Sequence, residues 1–453
     1  MLEKKSTDFK DVDEVKALKR RWYILAVYVY YATFSCFQWV EYSIITNVVM
    51  RYYNVSASTV DWTAVMFMIV WPIFVFPSSF LIDKLGLRFA ALVGCFLTAI
   101  GAAVKLFSIS PDRFSIVLLG QAIVSLSQVF ILSLPPKLAV TWFKPNEVST
   151  VCSIGVFGVM LGSAMGFLIP PIIVKDDPDI SQIGASLKVL CWGLTLVVVP
   201  ACVAVAIYFP HQPANPPSEA QAEERRQVEL VTLRTFLRSV KGLLKNKAFV
   251  MQMFGYGICY GIFSAFGTLL NQFILYYFPG AAEDAGRMGL VMILSGMVGG
   301  VLVGVILDKT HRYKETTFVI YLMSTIFIGG LIFALELKLK LLIYLAIGCF
   351  GFFLNAYIPA GIEFATELTY PANESTTTSL MTAVSQLLGV AFTLGLGWLN
   401  AEWGTFWSLS IQSLLLALGT VLTSFVPNSL RRQAAFQKAV EFKEIPQEEL
   451  TKN

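Results

Sequence analysis

The chain has 453 residues, of which 56% are hydrophobic and 14% are charged, and its net charge is +4. Soluble proteins carry about 25% charged residues. The composition therefore excludes an ordinary soluble protein and predicts a membrane protein. The small net charge favours no particular partner, and we expect no nucleic acid among the partners.

The cysteines and histidines give no sign of a metal or redox centre. All seven cysteines fall in apolar segments and form no CxxC or CxxxC pair, which is typical of packed core thiols. His211 and His311 both fall in predicted loops, so neither provides a buried axial ligand for haem. The sequence has no catalytic motif and no Walker lysine loop, so we predict no enzyme, no cofactor and no ATP-driven pump.

Long apolar segments follow one another along the chain, each near or above the roughly 20 residues that a spanning helix needs. Helices are the expected element, because lipid cannot satisfy open strand edges. We predict an all-α membrane protein of the major facilitator fold, with two six-helix halves. Its twelve transmembrane helices are expected over residues 22–48, 60–82, 88–107, 114–136, 148–174, 187–209, 249–277, 285–307, 316–336, 340–366, 376–399 and 403–427.

Lys and Arg are concentrated in the N-terminal tail and in the loops after segments two, six and eight. Because short loops rich in these residues stay in the cytoplasm, both termini are predicted to be cytoplasmic. Asn54-Val55-Ser56 then forms a glycosylation sequon in the first outer loop. A second sequon at Asn373 falls on the cytoplasmic side and should stay unmodified.

The longest loop divides the segments into two sets of six. From Val228 to Lys247 it has the spacing of an amphipathic helix with a basic face, which suits the inner leaflet; an ordinary solvated linker is the alternative. We predict a tail over 1–21, a half over 22–209, a linker over 210–248, a half over 249–427 and a tail over 428–453.

A charged motif recurs at equivalent points of the two halves. Asp83 and Arg88 follow segment two, and Asp308 follows segment eight. The first motif resembles the helix 2–3 loop signature of the major facilitator superfamily, Gly-x-x-x-Asp-x-x-Gly-x-Arg, with Ser79 in place of the leading Gly. The resemblance implies that Asp83 and Arg88 brace the cytoplasmic side, with Asp308 as the counterpart. Ordinary loop solvation by charge is the alternative.

Glycines recur along two of the segments. Segment five carries them at 155, 158, 162 and 166, and segment eight at 296, 299, 300 and 304. Small residues at such spacing let helix backbones approach closely. Tight helix packing is therefore expected in both segments.

Polar and aromatic residues interrupt four apolar segments. Such groups are costly inside a bilayer and usually mark a substrate path. We expect them to converge on one central cavity, in which an aromatic wall and neutral amides suit a small organic cation. An interfacial or packing role is the alternative for the aromatic member. The four residues are Trp39, Gln128, Asn271 and Gln386.

Three acidic residues have two interpretations each. Glu41 either attracts cations to the outer mouth of the cavity or snorkels to the interface. Glu363 and Glu367 lie one turn apart near the inner end of segment ten. They either line an exit path or pair with loop cations, and Glu367 is a gating candidate.

Four motifs lie at residues 37–45, 128–150, 268–272 and 363–371. They resemble the feline leukaemia virus subgroup C receptor-related transporters, and the resemblance covers nearly all of residues 20–430. It implies facilitated transport of choline and ethanolamine and, by an older assignment, haem. The positions that the resemblance assigns to choline contact are Trp39, Gln128, Asn271 and Gln386.

One position departs from that family. Ser264 stands where the family usually has a Tyr that forms a second aromatic wall around the quaternary ammonium. Tyr260 lies one turn earlier on the same helix face and is the candidate replacement. Without a replacement, choline binding should weaken by roughly 0.5–2 kcal/mol, and ethanolamine should gain relative to choline. Glu41 also replaces a usual Gln, which adds negative charge near the site.

These observations together predict a facilitative transporter for choline, ethanolamine or both that works by alternating access. A monomeric uniporter in the plasma membrane is the simplest form, with a mitochondrial or other internal membrane as the alternative. Two other functions stay open. A haem transporter would need a larger cavity with basic or His partners, and a non-transporting sensor would bind without flux.

Overall fold

The computed structural model describes residues 2–143, 147–209, 233–372, 374–428 and 432–433, and every regular element in these ranges is helical. Short 3-10 turns follow the first and third helices, at Ser43–Ile45 and Leu106–Ser108. The helices are α1 (Leu2–Val40), α2 (Thr46–Tyr53), α3 (Ala57–Lys105), α4 (Phe114–Leu132), α5 (Leu134–Trp142), α6 (Val148–Ile173), α7 (Ile180–Tyr208), α8 (Leu233–Lys245), α9 (Lys247–Tyr277), α10 (Ala282–Thr310), α11 (Tyr313–Glu336), α12 (Lys340–Thr369), α13 (Glu374–Trp403) and α14 (Thr405–Phe425).

Eleven helical stretches within the described residues are long and apolar enough to cross a membrane. They coincide with predicted segments two to twelve, so the all-α, multi-pass architecture is confirmed. The predicted linker helix corresponds to α8 from residue 233 onward. Residues 210–232, the sequon residue Asn373 and most of the C-terminal tail lie outside the described residues.

The first predicted segment differs from the structure. One unbroken helix over 22–48 is wrong, because α1 ends at Val40 and α2 begins only at Thr46. Between them Ile45 leaves the helical region, with φ −119° and ψ 31°. The Thr46 hydroxyl donates to the Ser43 carbonyl oxygen at 2.7 Å. The break frees helix-end carbonyl oxygens, and side chains donate to two of them, at Ser43 and Ile44.

Helix α3 contains two of the spans, because its backbone leaves the helical region at Gly86, with φ +83° and ψ 174°. A positive φ strains any residue that has a Cβ atom. A Cβ added at Gly86 would meet nothing within 4 Å. The glycine of the charged motif is therefore needed for its conformation and not for space.

The described residues fall into two compact units. One comprises those within Met1–Leu230 and Gly267–Leu294, and the other those within Val231–Phe266 and Ser295–Asn453. Helices α9 and α10 are thus each divided between the units. The two six-helix halves joined by a linker over 210–248 stay a prediction.

In the first unit, α1 and α6 touch backbone to backbone along the glycines of segment five. A Cβ at Gly162 would collide with the Thr33 carbonyl oxygen, and one at Gly166 would lie 2.6 Å from the Phe37 oxygen. The Thr33 hydroxyl also donates to the Gly158 oxygen at 2.9 Å. The close approach expected from the glycine spacing is confirmed here.

In the second unit, polar contacts fix the first turns of α9. The Tyr321 hydroxyl of α11 donates to the Gly255 oxygen of α9 at 2.8 Å. The Gln252 amide of α9 donates to the Gly361 oxygen of α12 at 3.1 Å. Because buried polar groups stabilise a helix only when they are paired, these bonds define how α9 is rotated. They set the orientation of Tyr260, a little further along the same helix.

Candidate functional site

Three of the predicted site residues lie at or next to the C-terminal part of α1 and the break that follows it, all within the first unit. The Gln128 amide of α4 donates to the Ser35 carbonyl oxygen at 3.2 Å. Trp39 follows Ser35 by four residues and therefore lies one turn further along the same face. The Asn271 amide donates to the Ile44 carbonyl oxygen at 2.7 Å. Gln128, Trp39 and Asn271 thus follow one another along the end of α1 and the break after it.

Trp39 is half-buried, so part of its indole is available for contact. Its ring faces Gly267 of α9, where an added Cβ would lie 3.7 Å from the indole and 3.4 Å from the Phe167 ring. The glycine therefore leaves room beside two aromatic side chains. An aromatic face that is neither fully covered nor fully in solvent is the arrangement a cation–π contact requires.

Asn271 and Gln272 anchor this end of α9 in the first unit. Besides Ile44, the Asn271 amide reaches the Asn47 side-chain oxygen at 3.4 Å. The Gln272 amide donates to the Asp61 carboxylate at 2.8 Å. Asp61 is 1% exposed, so this bond supports a buried carboxylate. Both amide hydrogens of Asn271 are engaged by the chain itself, and its contact with a substrate stays a prediction.

A buried ion pair lies beside Trp39. The Lys105 ammonium at the end of α3 contacts the Glu41 carboxylate, and both side chains are 2% exposed. The ammonium also donates to the side-chain oxygens of Gln38 at 2.7 Å and Gln121 at 3.4 Å. The Tyr42 ring centroid lies 5.6 Å from the ammonium nitrogen. The three N–H donors of a lysine are therefore matched by three oxygens.

This pair corrects both interpretations of Glu41. The carboxylate neither lies at an outer mouth nor reaches an interface, because it is buried against Lys105. A charge in a low-dielectric interior is tolerated only with a partner and hydrogen bonds. Lys105 and Asp61 were missed in the sequence, although each is a charged residue inside an apolar segment, which is the available signal.

The other predicted site residues lie in the second unit. The Gln386 amide of α13 donates to the Tyr260 hydroxyl at 3.3 Å. The Tyr260 ring stacks on Tyr256, with centroids 6.3 Å apart and planes at 17°. Ser264 lies one turn further along α9 and is 1% exposed. This unit therefore joins Tyr260 with Gln386, and the convergence of all predicted residues on one cavity stays a prediction.

The predicted gating residues occupy helix ends. Arg88 donates to the Ala206 carbonyl oxygen near the end of α7 at 3.3 Å. The side chain of Asp83 lies outside the part of the structure that is described. In the second unit, Asp308 and Glu367 line one cavity of about 480 Å³ together with His311, Tyr313, Glu363, Arg432 and Gln433.

Glu367 has a defined partner in that cavity. Its carboxylate accepts the Gln433 backbone N–H at 3.3 Å. Arg432, the neighbouring residue, pairs with Glu374 at the start of α13 at 3.1 Å. The structure thus brings Asp308 and Glu367 together, and their role in gating stays a prediction.

Asn54, the predicted glycosylation residue, ends α2. It is exposed and has a left-handed backbone, with φ 52° and ψ 48°. Ser56 follows two residues later and accepts the Thr59 backbone N–H at 3.3 Å, which caps the start of α3. The sequon therefore spans the turn between two helices.

Comparison with known proteins shows which family this chain resembles. The profile of the Major Facilitator Superfamily matches residues 24–394. "Choline/ethanolamine transporter flvcr2b" of Danio rerio is 39% identical over 426 residues, which cover 94% of this chain and 87% of the relative. "Choline/ethanolamine transporter FLVCR2" of Homo sapiens is 37% identical over 440 residues, covering 97% and 83%.

A solved structure shares the fold. A bacterial homolog of the human lysosomal transporter Spinster superposes with a TM-score of 0.70 at 12% identity. The match covers 91% of this chain and 98% of that one. At this identity the likeness concerns the fold alone.

Proposed function

The chain belongs to the major facilitator superfamily and, within it, to the family of the FLVCR2 transporters, and we propose that it carries choline and ethanolamine across a membrane. The observation that carries this proposal is the succession of Gln128, Trp39 and Asn271 along the end of α1 and the break after it. A half-buried indole near neutral amides offers a cation an attractive face without a fixed charge.

In the proposed binding mode the indole of Trp39 covers the ammonium group of the substrate. The amides of Gln128 and Gln386 then orient its hydroxyl, because an amide both donates and accepts hydrogen bonds. Tyr260, which is bonded to Gln386, provides the second aromatic surface. Choline and ethanolamine share the hydroxyl and the positive charge, so one site accepts both.

The transport cycle we propose is alternating access around this site. Arg88 and the motif residue Asp83 brace one end of the first half, and Asp308 and Glu367 act at the equivalent end of the second. No proton or ion is needed to drive a uniporter, whose net flux follows the substrate gradient. A monomer in the plasma membrane with both termini in the cytoplasm completes the proposal.

Ser264 bears on the preference between the two amines. It is 1% exposed, and its hydroxymethyl group provides no aromatic surface for the cation. Ethanolamine gains more from hydrogen bonds than choline does, because choline has no N–H donor. We therefore expect weaker discrimination in favour of choline than a second aromatic wall at this position would give.

The test is uptake of labelled choline by cells that lack their own transporter, with unlabelled ethanolamine as competitor. Trp39→Ala should raise the KM by up to about 30-fold, the equivalent of about 2 kcal/mol, and Trp39→Phe should lie between. Trp192→Ala is the matched control, because this tryptophan of the same unit is 47% exposed. Absence of saturable uptake with normal surface expression would overturn the proposal and return haem to consideration.

Ser264→Tyr completes the experiment. A tyrosine at this buried position adds an aromatic face but also overpacks its surroundings, which typically costs about 1–3 kcal/mol. We expect less Ser264→Tyr protein than wild type at the cell surface. The protein that does reach the surface should have a lower choline KM than wild type. A KM ratio of choline to ethanolamine that does not change would remove Ser264 from the specificity argument.

A further inference from the structure

The Lys105 ammonium lies at the end of the first helix and uses all of its donors there. Two of its three acceptors, Gln38 and Glu41, belong to the chain segment that carries Trp39. The third, Gln121, comes from α4. A single buried ammonium therefore connects α1, α3 and α4.

The two acceptors at the end of the first helix and just after it flank Trp39 in the sequence. Gln38 immediately precedes it, and Glu41 follows it by two residues. The helix ends at Val40, so the backbone after Trp39 has no further helical turn to hold it. The Gln121 amide donates to the Gln38 backbone oxygen at 2.9 Å and so supports the same point.

We propose that Lys105 is a positioning residue that fixes the end of α1 and thereby sets the orientation of the Trp39 indole for the cation. The inference rests on the proposed function for its effect on transport. It goes beyond that function because it assigns no substrate contact to Lys105 or Glu41, which are buried and paired with each other. Lys105 acts through the backbone on both sides of the indole.

The electrostatics of the pair fit this role. A cation at the C-terminal end of a helix is stabilised by the helix dipole, and Lys105 lies at the end of α1. Its charge also neutralises Glu41, which would otherwise compete with the indole for a cationic substrate. Because the pair is neutral as a whole, the substrate meets an aromatic face and not a second charged group.

Packing around Lys105 is specific. A Cβ added at Gly120 of α4 would lie 2.5 Å from the Lys105 Cγ, and one at Gly101 would lie 2.8 Å from the Gly120 oxygen. The side chain of Lys105 thus runs through a narrow passage between α3 and α4 before its ammonium reaches α1. Close packing around its Cγ and Cδ atoms restricts the rotamers that the Lys105 side chain can adopt.

The experiment compares Lys105→Met, Glu41→Gln and the double variant in the choline uptake assay, with surface amount measured separately. Lys105→Met leaves a buried carboxylate alone, and we expect a large loss of surface protein. The double variant removes both charges, so its surface amount should return to within about two-fold of wild type. Its choline KM should stay raised by about five-fold or more, with a smaller change in maximal rate per molecule.

A substrate-free measurement separates the two proposals. The emission of Trp39 is obtained as the difference between protein with and without Trp39→Phe, and its quenching by acrylamide is compared in the wild-type and double-variant backgrounds. We expect a shifted and more readily quenched indole in the double variant. If that shift occurs while wild-type protein takes up no choline, the proposed function fails and the positioning role stands.

The control is a second ion pair on the same helix. Arg21 of α1 and Glu147, just before α6, meet at 3.0 Å, and Arg21 precedes Trp39 by several helical turns. Arg21→Met with Glu147→Gln should leave the choline KM and the Trp39 emission unchanged. The positioning role is overturned if Glu41→Gln with Lys105→Met restores both the surface amount and the KM, or leaves the Trp39 emission as in wild type.

Discussion

The Gln386 amide donates to the Tyr260 hydroxyl across 3.3 Å, which joins two of the predicted substrate residues within one unit. The bond fixes the tilt of the tyrosine ring, whose other side stacks on Tyr256. Tyr260 is the candidate replacement for the aromatic residue that is absent at Ser264. The replacement of a second aromatic wall by Tyr260 stays a prediction, and these two contacts support it.

Tyr260→Leu should therefore raise the choline KM by about 2- to 30-fold, the equivalent of 0.5–2 kcal/mol for a cation–π contact. Tyr260→Phe keeps the ring and removes only the hydroxyl, so its effect should be a few-fold at most. Tyr276→Leu changes a tyrosine of the same helix that is 63% exposed and serves as the control. Equal KM values for Tyr260→Leu and wild type would exclude Tyr260 from the site.

Much of this architecture follows from composition alone. A run of about 20 apolar residues has one stable form in lipid, and the spans from Ala57 onward lie where hydropathy predicts them. The break after Val40 does not follow, because it depends on contacts with residues far along the chain. Lys105 of α3 and Gln121 of α4 bind the chain at this break. No local sequence pattern near Glu41 predicts these contacts.

Glycine spacing shows the same limit. In α6 the glycines meet the backbone of α1, as expected. In α10, Gly296 and Gly299 lie against Asn355 and Phe352, yet an added Cβ at Gly300 or Gly304 would meet nothing within 4 Å. Glycine spacing predicts that a neighbouring helix can pack closely, but the fold decides which of the glycines that helix contacts.

Gly162 gives a direct test of this packing. Gly162→Ala should push α6 away from the Thr33 carbonyl, and we expect a loss of about 1–3 kcal/mol, the range for overpacking. The melting temperature of the purified protein in detergent measures it. Gly193→Ala in α7 is the matched control, because a Cβ there meets no atom within 4 Å. A Gly162→Ala protein that melts with the control would contradict the backbone contact.

The Gln272–Asp61 bond predicts a non-additive pair. Gln272→Leu leaves the buried Asp61 carboxylate without this donor and should cost about 1.5–3 kcal/mol, as for hydrogen bonds to charged groups. Gln272→Leu combined with Asp61→Asn should cost less than Gln272→Leu alone, since no charge is then left buried. Melting temperatures of Gln272→Leu, Asp61→Asn and the double variant give the coupling energy between the two side chains. Simple additivity of the two single effects would mean that the bond contributes nothing.

The topology can be tested at the turn between α2 and α3. If this turn faces the outside, Asn54 should carry a glycan that an N-glycosidase removes, visible as a shift in electrophoretic mobility. Asn54→Gln and Ser56→Ala should each abolish the shift, whereas Ser56→Thr preserves the sequon and should keep it. Ser56→Ala also removes the cap of α3, with an expected cost of about 1 kcal/mol.

The variants at Asn54 and Ser56 therefore separate glycosylation from folding. Asn54→Gln places a residue other than Asn at φ 52°, which is a modest strain because Asn tolerates the left-handed region better than most residues. Loss of the glycan with full surface expression in Asn54→Gln would support an outward-facing turn. Two results together would reverse the proposed topology: the wild-type protein carries no glycan, and a label reaches the turn at Asn54 only after the membrane has been permeabilised. Both termini would then lie outside the cytoplasm.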